Sequence, residues 1–177
     1  MKLVILDRDG VINHDSDQYI KSAVEWKPIK GSLEAIARLT QAGWRVVVAT
    51  NQSALARGLF DMATMNAIHD AMHRAVQQAG GRIDAVFFCP HAADAGCACR
   101  KPRPGLLLDI AKRLNVDLRE VPMVGDSRKD LEAAAAAGAQ PVLVLSGNGR
   151  KTRDSGELPR GTRVCADLAA FAALLAP

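Results

Sequence analysis

The feature that most restricts the fold is a recurrence of short apolar runs, each ending abruptly in polar residues and each followed by a helix-length segment. Leu3–Leu6 stops at Asp7-Arg8-Asp9-Gly10, and Arg45–Ala49 stops at Thr50-Asn51-Gln52-Ser53. Ile83–Phe88 runs into Cys89-Pro90-His91, Val121–Val124 ends at Gly125-Asp126, and Pro141–Leu145 follows. Strands this uniformly apolar are buried on both faces, which is the signature of a parallel sheet covered by helices. The intervening segments have helical spacing. Leu33, Ile36, Ala37 and Leu39 follow Gly31-Ser32; Met65, Ile68, Met72 and Val76 mark one face of 61–79. Further helices are expected over 106–114 and from Arg128 through the alanine run to Gly138. The expectation is an α/β, doubly wound, mainly parallel sheet.

The remaining segments are less regular. Residues 13–28 are polar and read as a loop crossing the end of the first strand. The Gly- and Arg-rich stretch 147–161 reads as a mobile loop, followed by a short strand at 162–165 and a closing helix at 167–175. At 177 residues, without repeats or linkers, one domain over 1–177 is expected. No insertion between the strands is large enough for a cap domain.

Charge and composition narrow the class. The net charge is +4 and aromatic residues are 4% of the chain, so material for stacking nucleobases is scarce. The basic residues fall in short clusters, Arg100-Lys101-Arg103, Arg128-Lys129 and Arg150-Lys151-Arg153, which suit a small anion better than a nucleic acid. No run approaches the roughly 20 apolar residues of a bilayer span. A cytoplasmic monomer acting on a small molecule, with no nucleic-acid or membrane partner, is the expectation.

In an open α/β sheet, ligands bind beyond the carboxyl ends of the strands. Asp7, Thr50 and Asp126 each follow a predicted strand, and Lys101 precedes a helix on the same side. Asp7 and Asp9, two residues apart in extended chain, face one spot, and a pair of like charges calls for a hard cation such as Mg2+. The set suits phosphoryl transfer: Asp7 as nucleophile, Asp9 as general acid and base, Thr50 and Lys101 on the phosphoryl oxygens. Asp7, Asp126 and the Asp9 main chain would hold the metal. Singly, each residue has a plainer reading: Thr50 as a strand end, Lys101 as a solvated cation. Ser127 with Asp130 reads as a helix capping box.

Cys89, His91, Cys97 and Cys99 offer three thiolates and an imidazole, a full ligand set for a structural Zn2+ that leaves no position for water. Cys165 stands apart on an apolar stretch and reads as a buried thiol.

Asp7-Arg8-Asp9-Gly10, Thr50-Asn51, Lys101-Pro102 and Gly125-Asp126-Ser127-Arg128-Lys129-Asp130 resemble, in order, the four motifs of the haloacid dehalogenase superfamily. The resemblance spans residues 3 to about 146 and implies that superfamily's Rossmann-like fold and an aspartyl-phosphate mechanism. Cys-Pro-His followed by Cys-x-Cys-Arg-Lys-Pro resembles a subgroup holding heptose bisphosphate phosphatases and histidinol phosphatases. Thr50-Asn51-Gln52-Ser53 with Ala56-Arg57-Gly58 looks more like the heptose enzymes, despite Ala54 at a usual glycine and Ser127 at a frequent lysine. This implies removal of the 7-phosphate of D-glycero-D-manno-heptose 1,7-bisphosphate, a step toward surface glycan such as lipopolysaccharide core. Histidinol phosphate is the alternative substrate. Asp15, Tyr19, Asn51, Gln52, Ser53, Arg57 and Arg100 are the expected substrate contacts. A phosphoacceptor switch of the receiver type, also built from Asp, Thr, Lys and Mg2+ on a doubly wound sheet, is the rival from another class.

Overall fold

The computed structural model describes residues 1–177. Its strands are β1 (Leu3–Leu6), β2 (Arg45–Asn51), β3 (Ala85–Cys89), β4 (Pro122–Gly125), β5 (Gln140–Val144) and β6 (Arg163–Cys165). Its helices are α1 (Ser32–Gln41), α2 (Met62–Gln78), α3 (Gly105–Leu114), α4 (Arg128–Ala137), α5 (Gly149–Asp154) and α6 (Leu168–Leu175). All six strands pair in parallel in the order β3-β2-β1-β4-β5-β6. Receiver domains follow the order 2-1-3-4-5, so the topology separates this chain from them.

Alternation along the strands divides the core into two layers. Val4, Leu6, Val46 and Val48 point to one side, where Ile36 and Leu39 of α1, Ile68 and Met72 of α2 and Phe171 of α6 cover them. Leu3, Ile5, Val47 and Ala49 point to the other, against Leu106, Leu107 and Ile110 of α3 and Ala133 and Ala134 of α4. The alanine run of α4 thus serves close helix-to-sheet packing.

The sheet order reverses between β1 and β4, and their register sets the site. Leu6 is level with Val48 and Val124, so Asp7 leaves β1 beside the end of β4, while β2 runs on through Thr50 and Asn51 against β3 and presents both at its carboxyl end. The Asp7 amide extends the β1–β4 ladder by one bond to the Val124 carbonyl, 2.8 Å.

Three expectations shift. The segment 147–161 is not wholly loop: residues 149–154 form α5, and Thr152 is buried, its hydroxyl donating to the Asp126 carbonyl at 2.7 Å. At six residues, α5 is too short to show periodicity. β3 starts at Ala85 rather than Ile83, because Asp84 intervenes and its carboxylate accepts from the Val46 amide at 3.1 Å. Residues 13–28 lack helix and strand as expected, yet Ile20 and Trp26 are buried in the first core layer and pin the segment over the strand ends. No helix is long and apolar enough to cross a membrane.

Phe171 is almost wholly buried and joins α6 to the first layer. Phe171→Ala is expected to lower stability by about 3–5 kcal/mol. Urea denaturation followed by both tryptophan fluorescence and circular dichroism should show one coincident transition, displaced to lower urea in the variant.

Candidate active site

Asp7, Asp9, Thr50, Lys101, Asp126 and Asp130 all line one cavity of about 340 Å3 beyond the carboxyl ends of β1, β2 and β4. Asp7 Oδ1 accepts from the Arg8 amide at 2.8 Å and pairs with the Lys101 ammonium at 2.9 Å. Oδ2 has no protein hydrogen bond. Burial, then the Asp130 charge, hold the Asp7 carboxyl well above its usual range, only partly opposed by Lys101.

Lys101 is 2% exposed and its three donors are spent on Asp7, on Asp130 Oδ1 at 2.6 Å and on the Ala49 carbonyl at 2.8 Å. Burial alone would lower its proton affinity; the two carboxylates outweigh burial and raise it. The ammonium is therefore fixed against the Asp7 carboxylate. The Asn51 side chain clasps the Lys101 backbone in both directions, donating to its carbonyl at 3.0 Å and accepting from its amide at 3.1 Å.

Asp130, read from sequence as a cap, is both a cap and a site residue. Oδ2 accepts from the Ser127 amide at 3.1 Å and hydroxyl at 2.7 Å, while Oδ1 holds Lys101. Its near-total burial, a cost without a partner, has its reason in that ion pair.

Asp9 is held differently. Its carboxylate accepts from Arg8 Nε at 3.0 Å and Nη2 at 3.3 Å, from Asn13 Nδ2 at 2.9 Å and from Gln52 Nε2 at 3.3 Å. Burial pushes its pKa up, but the Arg8 charge and these donors more than reverse that and leave it lowered. Gln52 also donates to Thr50 Oγ1 at 2.7 Å, leaving the Thr50 hydroxyl hydrogen for another acceptor. Gln52 is thereby occupied with holding Asp9 and Thr50.

Asp126 Oδ2 accepts from the Asn148 amide at 2.8 Å. Burial pushes this carboxyl up to about 7; the Asn148 amide opposes the shift, and Asp130 and Asp15 add to it. Gly10, with φ +80, and Gly147, with φ +54, pass so close to the Asp126 carboxylate that a Cβ on either would collide with it. Asp7, Asp126 and Asp130 form a cluster whose carboxylate oxygens lie within 4.8 Å of one another. If all were ionised, the four carboxylates Asp7, Asp9, Asp126 and Asp130 would outnumber the two buried cations, Arg8 and Lys101, by two charges, and the raised proton affinities of Asp7 and Asp126 reflect that excess together with burial. That excess, with oxygen-only donors, fits a hard divalent cation. Both oxygens of Asp130 are taken, so Asp7 and Asp126 are the carboxylates of the cluster left to hold one.

The other expected substrate contacts divide. Asp15, Tyr19, Asn51, Ser53 and Arg100 line the cavity with Gln52. Arg57 does not; its guanidinium lies over the Tyr19 ring at 5.8 Å. Asp17, Ser127 and Lys129 also line the cavity, the last two from within the Gly125–Asp130 motif, and so do Ser16 and Asn148, which carried no distinctive sequence pattern.

Cys89, His91, Cys97 and Cys99 come together with all ligand atoms within 4.8 Å. Cys89 Sγ lies 3.7 Å from Cys97 Sγ and 3.0 Å from Cys99 Sγ; His91 Nδ1 lies 3.3 Å from Cys99 Sγ and 3.5 Å from Cys89 Sγ. A tetrahedron with Zn–S bonds of ~2.3 Å has edges of ~3.8 Å, so the set fits zinc with a slight opening at Cys89–Cys99. Cys165 is buried and remote, as expected.

His69 of α2 was not anticipated. Its Nε2 is 3.1 Å from Arg8 Nη1. A guanidinium has no acceptor, so Nε2 must accept and the ring must be neutral. Burial, the Arg8 charge and His73 lower the His69 pKa to about 4, against a small opposing pull from Asp9. Between pH of about 6.5 and 4 the unfolded chain binds a proton here that the folded chain does not. Stability is thus expected to fall as the pH drops through that window, by up to about 3 kcal/mol from this group. Urea midpoints at pH 7 and pH 4.5 check it: His69→Gln should show a shallower loss than the native chain.

Comparison with known proteins places this arrangement. The profile described as HAD-hyrolase-like matches residues 98–171. The chain is 67% identical over 172 residues to the D-glycero-beta-D-manno-heptose-1,7-bisphosphate 7-phosphatase of Bordetella bronchiseptica, covering 97% of this chain and 96% of the relative. It is 54% identical over 172 residues to the phosphatase of the same name from Pseudomonas putida, covering 97% and 98%. The crystal structure of D,D-heptose 1.7-bisphosphate phosphatase from B. bronchiseptica, complexed with magnesium and phosphate, superposes with a TM-score of 0.97 over 99% of this chain and 98% of that one. With its strand order, carboxylate cluster and relatives in agreement, the chain belongs to the D-glycero-beta-D-manno-heptose-1,7-bisphosphate 7-phosphatase family of the haloacid dehalogenase-like hydrolases.

Proposed function

We propose that this protein is a Mg2+-dependent phosphatase that removes the 7-phosphate of D-glycero-beta-D-manno-heptose 1,7-bisphosphate and releases heptose 1-phosphate. The observation that carries the reading is the pairing of a nucleophile fixed by Lys101 with a separately held, proton-exchanging Asp9 in one cavity.

The Asp7 carboxylate attacks phosphorus, and the bond from phosphorus to the sugar oxygen breaks as the aspartyl-phosphate forms. Asp9 gives the departing oxygen its proton. Asp9 is ionised in the free protein among Arg8, Asn13 and Gln52; as the negative charge of the arriving phosphate raises its proton affinity it takes up one proton from solvent, and this is the proton it passes to the departing oxygen. In the second half, Asp9 takes a proton from water, the water oxygen attacks phosphorus, and the bond to Asp7 breaks, releasing phosphate and restoring the carboxylate. The Thr50 hydroxyl donates to a phosphoryl oxygen, and Lys101 contributes its charge through Asp7. Magnesium, held by Asp7, Asp126 and the Asp9 main-chain oxygen, supplies the positive charge that lets two anions approach. Zinc, held by Cys89, His91, Cys97 and Cys99, braces the turn that continues directly into Arg100 and Lys101.

Substrate orientation follows from the polarity of the cavity. Asp15, Ser16, Asp17 and Tyr19 offer hydroxyl and carboxylate partners to the sugar on one side. Arg100 and Lys129 belong also to an adjoining basic recess that takes in Arg103. The distal phosphate belongs on the basic side, with Arg100 as its principal contact. Arg57 acts through Tyr19, and Asn51 through Lys101. A thiolate zinc site accords with the reducing cytoplasm.

Asp7→Asn is expected to abolish turnover while leaving the unfolding midpoint nearly unchanged; appreciable activity would remove Asp7 as nucleophile. Comparing kcat/KM on both anomers of the heptose bisphosphate and on histidinol phosphate tests the substrate. Preference for histidinol phosphate would overturn the assignment. Cys97→Ser should lower zinc content by mass spectrometry and lower Tm. A zinc-free native protein that is fully folded and active would show that the cluster holds no structural metal.

A further inference from the structure

Arg8 lies between the two catalytic aspartates in sequence, yet it does not line the cavity. It is 1% exposed, a costly place for a cation unless its fork is satisfied. One edge of the guanidinium, Nε and Nη2, grips Asp9 at 3.0 and 3.3 Å. Nη2 also donates to Gln52 Oε1 at 3.3 Å, and Nη1 donates to His69 Nε2 at 3.1 Å. His69 is 8% exposed and rides on α2, whose Met65, Ile68, Met72 and Val76 are buried in the core and whose first turn is capped by Asp61, accepting from the Thr64 amide at 2.8 Å. A rigid path thus runs from a core helix through His69 and Arg8 to the Asp9 carboxylate. Asp7, one residue before Arg8, has no part in it; its own partners are Lys101 and the Arg8 amide.

We infer that Arg8 and His69 are positioning residues: His69 fixes the Arg8 guanidinium from α2, and that guanidinium holds the Asp9 carboxylate in the orientation from which it exchanges protons with the leaving oxygen and with water. The inference rests on Asp9 being the acid and base of the proposed reaction. Losing the His69 acceptor leaves a buried Nη1–H unpaired, so the guanidinium turns toward another partner and Asp9 loses its bidentate hold. Nucleophilic attack by Asp7 is untouched. The defect is therefore specific to proton transfer.

Leaving-group chemistry exposes that specificity. A sugar alkoxide needs a proton to depart, whereas nitrophenolate leaves as a stable anion. kcat/KM reports steps only through departure of the alcohol, so it isolates the acid role from the later attack of water. In His69→Leu, kcat/KM on the heptose bisphosphate should fall about 10- to 100-fold, while kcat/KM on p-nitrophenyl phosphate stays within about 2-fold of native. On the nitrophenyl ester, kcat and KM should fall together once water attack, which needs Asp9 as base, limits turnover. His69→Gln, whose amide oxygen can accept in place of Nε2, should recover most of the sugar-phosphate rate. Arg8→Lys, which keeps the charge and loses the fork, should show the same substrate-dependent loss and serves if His69→Leu fails to fold.

An equal loss on both substrates, or no loss on either, would overturn the positioning role. Asp9→Asn is the control for the underlying reading. If that variant also loses activity equally on both substrates, the acid assignment of Asp9 fails; if it discriminates while the His69 and Arg8 variants do not, only the positioning inference fails.

Discussion

The structure depends on the gathering of like charge at the point where the strand order reverses. β1 and β4 are neighbours, and the residues that follow them bring Asp7 and Asp126 together because parallel strands in register end together. Carboxylates gathered in this way destabilise a fold unless cations or hydrogen-bond donors are supplied. The chain supplies them unevenly. Asp130 is fully engaged by Lys101 and the Ser127 cap, and Asp9 by Arg8, Asn13 and Gln52. Asp7 is engaged at one oxygen and Asp126 chiefly by one amide. The unevenness supports the proposed division of roles, with metal and phosphorus assigned to the incompletely satisfied pair and proton exchange to the well-satisfied Asp9.

Burial makes this arrangement stiff. Lys101 and Arg8 have few alternative partners inside the protein, so each holds one geometry. The same ion pairs explain why the second core layer can consist of small and branched side chains right up to Ala49, whose carbonyl then caps the Lys101 ammonium. Packing and catalysis meet at that carbonyl. The zinc cluster extends the logic outward, since Cys99 is two residues from Lys101 and Asn51 ties the turn to β2.

Much of this was legible in the sequence because it was written in period and punctuation. All-apolar runs stopped by Asp7, Thr50 and Asp126 gave strands and site residues at once, and four thiol and imidazole ligands within eleven residues gave the metal loop. What stayed hidden was written in tertiary contact. Asp130 satisfied a capping box completely, so nothing local revealed that its second oxygen holds Lys101. Arg8 looked like a spacer between two aspartates. His69 did leave a trace: it falls on the stripe of Met65, Ile68, Met72 and Val76, where a polar residue implies a buried partner. The helix at 149–154 was missed because its anchors, Thr152 to Asp126 and Ser146 to the Gly10 carbonyl at 2.8 Å, join segments more than twenty residues apart.

The glycines around Asp126 have a consequence for how such a protein changes over time. Gly10 and Gly147 press main chain against the Asp126 carboxylate, and Gly125 presses against the Asp130 side chain. Main chain this close leaves no room for a side chain, so a substitution at one of these glycines must move a whole turn. Side chains at Gly10, Gly125 and Gly147 are therefore expected to be tolerated poorly. On the rim, Asp15 and Asp17 are exposed and open to exchange, while Ile20 and Trp26 keep the segment that carries them in place. Diversification toward new phosphate esters can proceed at the rim while the phosphoryl-transfer machinery is handed down intact.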